Sequence, residues 1–307
     1  MVLDHLIQSI ETHKDKVALC CDDVELTYED LGEVVLNYSK DFVYKDYPQL
    51  EVKGSAIEFI ISFWSALLAG SIPIITKEGE TLSDIEKLES DVYISHTSGT
   101  TGKPSFIHKS NELMDIRMEM SKEYLPFTVG EETLLSLAPM YHSMGLDHGM
   151  IQSVMNKSTF VYISKITPRK IFSNLSKYKP TIIQLGSPRN IDIILNHKEF
   201  DPSLFDSVNY AYSSGEPVPK QFKDRWMFAT GIPLLEGYGC TEAGMITMES
   251  IPQRLGSMGK PIDPEGFRIV DGEIQVRGDY VISDGWYATG DLAEQDEDGF
   301  VYVSGRK

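Results

Sequence analysis

"YISHTSGTTGKPSF", residues 93–106, decides how the chain is read. Between Thr97 and Pro104, eight positions hold four hydroxyl side chains, two glycines and one lysine. An ordinary surface turn needs one or two such residues. Consecutive N–H groups in a glycine-containing turn form a concavity that attracts anions. Gly99 and Gly102 let the backbone come close to a ligand. Thr97, Ser98, Thr100 and Thr101 add hydroxyl donors, and Lys103 adds a positive charge. The loop follows the apolar run "VYIS" and is expected to lead into a helix. Strand ends of this kind are where α/β sheets bind ligands, and the donor set suits a polyphosphate. A Walker-type loop, G-x-x-x-x-G-K-[ST], does not fit, because only two residues separate the glycines and Pro104 follows Lys103.

Outward from this loop, short apolar runs alternate with helical patterns up to about residue 245. Expected strands are "DVYIS" (91–95), "LLSLAP" (134–139), "TFVYI" (159–163), "TIIQLG" (181–186) and "VNYAYSS" (208–214). Expected helices include "NELMDIRMEMSKEYL" (111–125) and "PRKIFSNLSKY" (168–178). Such alternation predicts an α/β fold with parallel sheets and flanking helices. From residue 246 to 307 the texture changes to "FRIV", "EIQVRG", "GWYATGD" and "GFVYVSGR", separated by Asp-Gly and similar turns. This portion is expected to be antiparallel and barrel-like. The run "FIISFWSALLAGSIPII" (59–75) is too short for a membrane span and is divided by Gly70 and Pro73. It predicts a buried helix ending at Gly70, then a short strand through Ile74.

The 307 residues are 41% hydrophobic and 24% charged, a globular balance sufficient for a large core. A net charge of −18 argues against a nucleic-acid partner. An anion site must therefore be built locally. Three cysteines, two of them adjacent, form neither a disulfide framework nor a metal spacing. The N-terminus lacks a basic start followed by an apolar stretch, so a cytoplasmic location is expected.

"TSGTTGKP" resembles the phosphate-loop signature of the adenylate-forming enzymes, which include acyl- and aryl-CoA synthetases, luciferases and peptide-synthetase adenylation domains. "LTYEDL" (26–31), "PMYHSMG" (139–145), "YSSGEPVP" (212–219), "EGYGCTEAG" (236–244), "GSMGKP" (256–261) and "YATGDLAEQDEDGFVYVSGRK" (287–307) extend the resemblance in the family's order. It implies two sheets with flanking helices in an αβαβα-type layering, plus the smaller β-rich part. It also implies that ATP activates a carboxylic acid, fatty or aromatic, as an acyl-adenylate. Pyrophosphate leaves, and the acyl group passes to the thiol of CoA or of a carrier protein's phosphopantetheine. Magnesium, a possible acyl carrier protein partner and a homodimer belong to the same expectation.

The roles follow the motifs. Thr97 to Lys103 would hold the β- and γ-phosphates. Tyr238 resembles the ring that stacks on adenine, and Thr241 the donor to the α-phosphate. Glu242 resembles the magnesium carboxylate. Ser214, Gly215, Glu216 and Pro217 resemble the segment lying along adenine. Asp291 resembles the acceptor of both ribose hydroxyls, and Arg306 the arginine beside it. His142 resembles the gate of the acyl pocket, whose floor would include Gly186, Ser187, Gly237 and Gly239. Where peptide-synthetase domains commonly place an ammonium-binding aspartate, this chain has Ser143, so a simple acid is expected rather than an α-amino acid. Asp147, one helical turn on, is the nearby acid that speaks against this.

The chain departs from the pattern in two places. Ser105 and Phe106 replace the usual lysine and glycine after the proline, which weakens the expected phosphate grip. The region between "LLAGSIPII" and the loop is short, so a slimmer first sheet is expected. The resemblance also implies a small mobile domain, bearing a lysine, after "GRK". The 307 residues read as the large domain, ending at that hinge and weakly active alone. The alternative is a non-catalytic nucleotide- or acyl-adenylate-binding module.

Overall fold

A computed structural model describes residues 1–43, 45, 46, 48–52, 56–77, 91–97, 105–250, 254 and 256–307. Helix Val2–His13 leads into the hairpin β1 (Val17–Cys21) and β2 (Val24–Thr27), then helix Tyr28–Ser39. Thr27 starts that helix with a reciprocal cap: its hydroxyl accepts from the Asp30 N–H, and the Asp30 carboxylate accepts from the Thr27 N–H. Next come β3 (Gln49–Val52), helix Ala56–Leu68, β4 (Ile74–Lys77), β5 (Asp91–Thr97) and β6 (Ser105–Ser110). Helix Asn111–Tyr124 precedes β7 (Thr133–Ser136), and β8 (Thr159–Tyr162), β9 (Ile182–Gln184), β10 (Tyr210–Ser214) and β11 (Leu234–Cys240) follow. Helices Pro168–Tyr178, Arg189–Leu195 and Lys220–Thr230 lie between the later strands. The chain finishes with β12 (Gly244–Met248), β13 (Lys260–Pro261), β14 (Phe267–Val270), β15 (Glu273–Val276), β16 (Tyr287–Gln295) and β17 (Val301–Arg306).

Among the described residues these strands form three sheets. The largest runs β13-β12-β11-β10-β9-β7-β8-β1-β2. Its centre, from β11 to β1, is parallel throughout, and β2, β12 and β13 are antiparallel additions at the edges. Alternate residues of each central strand point to opposite faces. Leu134, Phe160 and Ile182 join the core beneath the helices Val2–His13, Tyr28–Ser39 and Ala56–Leu68. Leu135, Val161 and Ile183 join the core under Pro168–Tyr178, Arg189–Leu195 and Lys220–Thr230. Burial on both faces explains why these strands read as continuous apolar runs.

The second sheet, β3-β4-β5-β6, packs Leu50, Ile75, Val92 and Tyr93 into the first core from the other side. Helix Ala56–Leu68 lies in that core and buries Phe59, Ile60, Phe63 and Trp64, each worth roughly 1.5–3 kcal/mol. No helix among the described residues is long and apolar enough to cross a membrane. The strand after Gly70 begins at Ile74 rather than ending there. The hydroxyl-rich loop is followed first by β6, a strand not among those expected, antiparallel to β5 with Thr97 opposite Ser105; the helix then starts at Asn111, where its pattern predicts. Phe106 and Ile107 supply apolar side chains to opposite sides of this strand. The shortened region falls largely on 78–90, outside the described residues.

The third sheet, β14-β15-β16-β17, is antiparallel as expected. Its pairing among the described residues runs in one open line, without the closure of a barrel.

Candidate active site

Four neighbouring parallel strands, β7, β9, β10 and β11, end along one edge of the large sheet. The segments that leave those ends surround a cavity of about 610 Å³. From β7 come Leu137, Pro139, His142, Ser143, Met144 and His148; from β9 come Gly186 and Ser187. From β10 come Ser214, Gly215 and Glu216; from β11 come Gly239, Cys240 and Thr241. Of the expected acid-binding and adenine-binding residues, His142, Ser143, Gly186, Ser187, Gly239, Ser214, Gly215 and Glu216 thus share one wall system at the carboxyl ends of the strands, where this architecture places ligands.

Local geometry fixes these segments. Gly186 has φ +73°, and a Cβ there would lie 2.9 Å from the Leu137 carbonyl oxygen. At Gly239 a Cβ would lie 2.2 Å from the Gly244 carbonyl oxygen, so β11 and β12 cross this point only with glycine. The His142 N–H donates to Pro139 O at 3.1 Å, and its ring packs on Tyr141 with centroids 4.5 Å apart. The Ser187 hydroxyl donates to the Glu216 carboxylate, joining the β9 and β10 segments. Pro217 is exposed and not part of the lining. Behind it, the Val218 N–H donates to Glu236 Oε1 at 2.7 Å. Glu236 is held in turn by the buried Lys223 at 2.7 Å, which also meets Glu249 at 2.9 Å. Gly237 is buried against the sulfurs of Met245 and Met248 and is not part of the cavity lining.

A second group stands where β11 meets the third sheet. The Tyr238 hydroxyl donates to Asp291 Oδ2 at 2.7 Å. Asp291 pairs with Arg306 across β16 and β17, and the guanidinium Nε lies 3.9 Å from Asp291 Oδ1. Glu242 sits beside the Tyr287 hydroxyl and the Cys240 thiol. Burial, reinforced by the Glu242 charge, pushes that thiol up to about 12. None of Tyr238, Glu242, Asp291 and Arg306 lines the cavity; they continue from its β11 side. Ser98, Gly99, Thr100, Thr101, Gly102 and Lys103 lie outside the described residues, and Thr97 ends β5.

Two features went unread in the sequence. Arg117, 4% exposed, donates to three backbone carbonyls: Thr241 at 3.1 Å, Glu242 at 2.6 Å and Tyr280 at 2.8 Å. It ties the Thr241–Glu242 turn to the helix and to the segment before β16. The signal was an arginine in register with Leu113, Met114, Met118 and Ser121 on the buried face of that helix. The second is a buried ionic cluster. Asp147 accepts from the Lys109 ammonium at 2.9 Å and from the Tyr93 hydroxyl. Its charge is already matched inside the protein, so it does not serve as a free counter-ion for an ammonium. Burial alone would raise the Asp147 carboxyl, but Lys109 and Tyr93 outweigh it and hold it below the usual range.

A family model described as AMP-binding enzyme matches residues 48–285. A long-chain-fatty-acid–CoA ligase of Salmonella typhimurium is 30% identical over 281 residues, covering 80% of this chain and 48% of that protein. A 3-hydroxybenzoate–CoA ligase of Aromatoleum sp. is 26% identical over 290 residues, covering 85% of this chain and 54% of that protein. The chain spans about half the length of the curated relatives it matches. Among solved structures, an anthranilate CoA ligase in complex with anthranoyl-AMP superposes with a TM-score of 0.83 at 19% identity, over 99% of this chain and 77% of that one. Apo MatB from Rhodopseudomonas palustris gives 0.85 at 18% identity, over 100% and 79%. These two likenesses concern the fold.

Proposed function

The chain belongs to the AMP-binding enzyme family, and from that premise we propose that it activates a carboxylic acid with ATP. The carboxylate oxygen bonds to the α-phosphorus, the bond to pyrophosphate breaks, and an acyl-adenylate results. The acyl group then passes to a thiol, that of CoA or of a carrier protein's phosphopantetheine. The observation that carries this reading is that one cavity is lined by His142, Ser143, Gly186 and Ser187 together with Ser214, Gly215, Glu216 and Thr241. Two anions must meet here, so positioning and charge neutralisation supply most of the catalysis.

In this scheme the β10 segment lies along adenine, and the Thr241 hydroxyl donates where charge builds on the α-phosphate. Asp291, with two acceptor oxygens, receives a vicinal diol. Tyr238 already holds that carboxylate in place, and Arg306 limits its repulsion of the phosphates. Lys103 and the hydroxyls beside it would take the β- and γ-phosphates. Among the described residues the Glu242 carboxylate has no cation partner. An oxygen donor next to a hydroxyl fits a hard divalent ion. Magnesium bound there would neutralise phosphate charge.

Acid-dependent exchange of labelled pyrophosphate into ATP tests the proposal. The chain should catalyse exchange with a simple fatty or aromatic acid, and Thr241→Ala should lower the rate ~10²-fold, as removal of a transition-state donor does. Exchange that is absent with every acid, or unchanged in Thr241→Ala, would refute it.

A further inference from the structure

β5 and β6 form a hairpin whose strands are joined by residues 98–104 of the hydroxyl-rich stretch. Thr97 and Ser105 pair at the ends of the two strands, so the position of the hairpin sets where that segment begins and ends. Toward the base of the hairpin, Tyr93 and Lys109 are direct cross-strand partners, both fully buried. Both side chains reach across to the segment that leaves β7. They meet Asp147, itself buried, in the π-helical turn Leu146–Ile151, just after the cavity-lining residues His142, Ser143 and Met144. The Tyr93 hydroxyl donates to Asp147 Oδ1, and the Lys109 ammonium donates to Asp147 Oδ2 at 2.9 Å. One carboxylate therefore holds both strands of the hairpin, one oxygen to each. Lys109 also donates to the Ser143 hydroxyl oxygen at 3.4 Å.

Stability alone does not account for this group. Apolar side chains of similar volume generally hold an interior together as well as a buried ion pair does. The hairpin already has such contacts: the Tyr93 ring meets Phe63 edge-on with centroids 5.5 Å apart, and Ile107 is buried. What the polar bonds add is direction. A satisfied buried network rigidifies its surroundings and specifies one arrangement, whereas apolar contacts allow the hairpin to slide. Adenylation depends on placement of this kind, since a displacement of about 1 Å can cost ~10²-fold in rate.

Resting on the reading of residues 97–103 as the holder of the β- and γ-phosphates, we propose that Asp147, Tyr93 and Lys109 are positioning residues for adenylation. Asp147 fixes the hairpin against the acid-binding wall, so the phosphate tail of ATP and the acid are held in one frame. None of the three side chains touches either substrate.

Calorimetric titrations of the chain with AMP and with ATP, both with magnesium chloride and without acid, examine this together with pyrophosphate exchange. AMP lacks the two phosphates assigned to the hairpin, so a general loss of structure would weaken both nucleotides, and a misplaced hairpin only ATP. The wild-type chain should bind ATP more tightly than AMP. Tyr93→Phe removes one link and no charge. Lys109→Met with Asp147→Leu replaces the ion pair by apolar volume. Each variant should bind AMP within about twofold of wild type and ATP about tenfold more weakly, the loss of one hydrogen bond to a charged group. Exchange should fall ~10-fold or more. Tyr93→Phe alone decides the matter if the double variant does not fold. Equal weakening of ATP and AMP, or undiminished ATP binding, overturns this inference and leaves the adenylation reading standing. So does wild-type binding of ATP no tighter than AMP. Binding of neither nucleotide by the wild-type chain overturns both.

Discussion

Arg117 shows how much of a site can depend on a residue that touches no ligand. Its three donors satisfy the backbone carbonyls of Thr241, Glu242 and Tyr280. Hydrogen bonds from a charged donor are worth roughly 1.5–3 kcal/mol each. Arg117→Met is expected to lower pyrophosphate exchange at least ~10-fold, and Arg117→Lys should rescue it poorly, because an ammonium cannot span three carbonyls. Full activity in Arg117→Met would show that the turn holds itself. The buried pair makes a second prediction at this scale. Lys109→Met leaves the buried Asp147 charged without its cation, which should cost ~3–5 kcal/mol in urea unfolding, and Lys109→Met with Asp147→Leu should recover most of it. The Asp147 carboxyl lies below its unfolded value. Its contribution is therefore complete above about pH 4 and is lost as the pH falls through the lower folded value. The double variant should show a shallower loss of stability over that acid range. Tyr238, Thr241 and Asp291 were singled out by the extended motifs in which they stand. Arg117 and Lys109 were not, because a charged residue within an amphipathic pattern reads as a solvated edge until tertiary contacts are known.

At the level of elements, periodicity served well where burial is simple. Helix Pro168–Tyr178 has the bounds its pattern predicts, opened by the Thr167 cap and Pro168. β14 likewise matches "FRIV" residue for residue. "SFIHKS", which the sequence pattern assigned to no element, forms β6. Six residues cannot distinguish a strand from a helix entry, and the choice is made by pairing with β5, a tertiary event. Elements are also locked by charge. Lys223 on its helix meets Glu236 on β11 and Glu249 just after β12, all buried. Burial raises the Glu249 carboxyl despite Lys223, so one cation serves two acids imperfectly. Glu249→Gln should change unfolding free energy by no more than ~1 kcal/mol, while Lys223→Met, which takes the shared cation from both carboxylates, should cost ~3–5 kcal/mol. Equal effects of the two would contradict this division of roles.

Across the whole molecule, the parallel order β11-β10-β9-β7 turns four loops distant in sequence into neighbours. The alternation of strands and helices announced the fold class, and the motifs announced which loops matter. The strand order could not be read, because it depends on pairings such as β1 with β8, well over a hundred residues apart. The overall charge of −18 repels polyanions, so nucleotide binding has to come from donors gathered at this one edge. The most direct test is a crystal structure of the chain with a hydrolysis-resistant acyl-adenylate analogue. The adenine should lie against Ser214–Glu216, the ribose should meet Asp291, and the acyl group should enter between His142–Met144 and Gly186–Ser187. Nucleotide density away from the ends of β7, β9, β10 and β11 would contradict the shared cavity and the chemistry built on it.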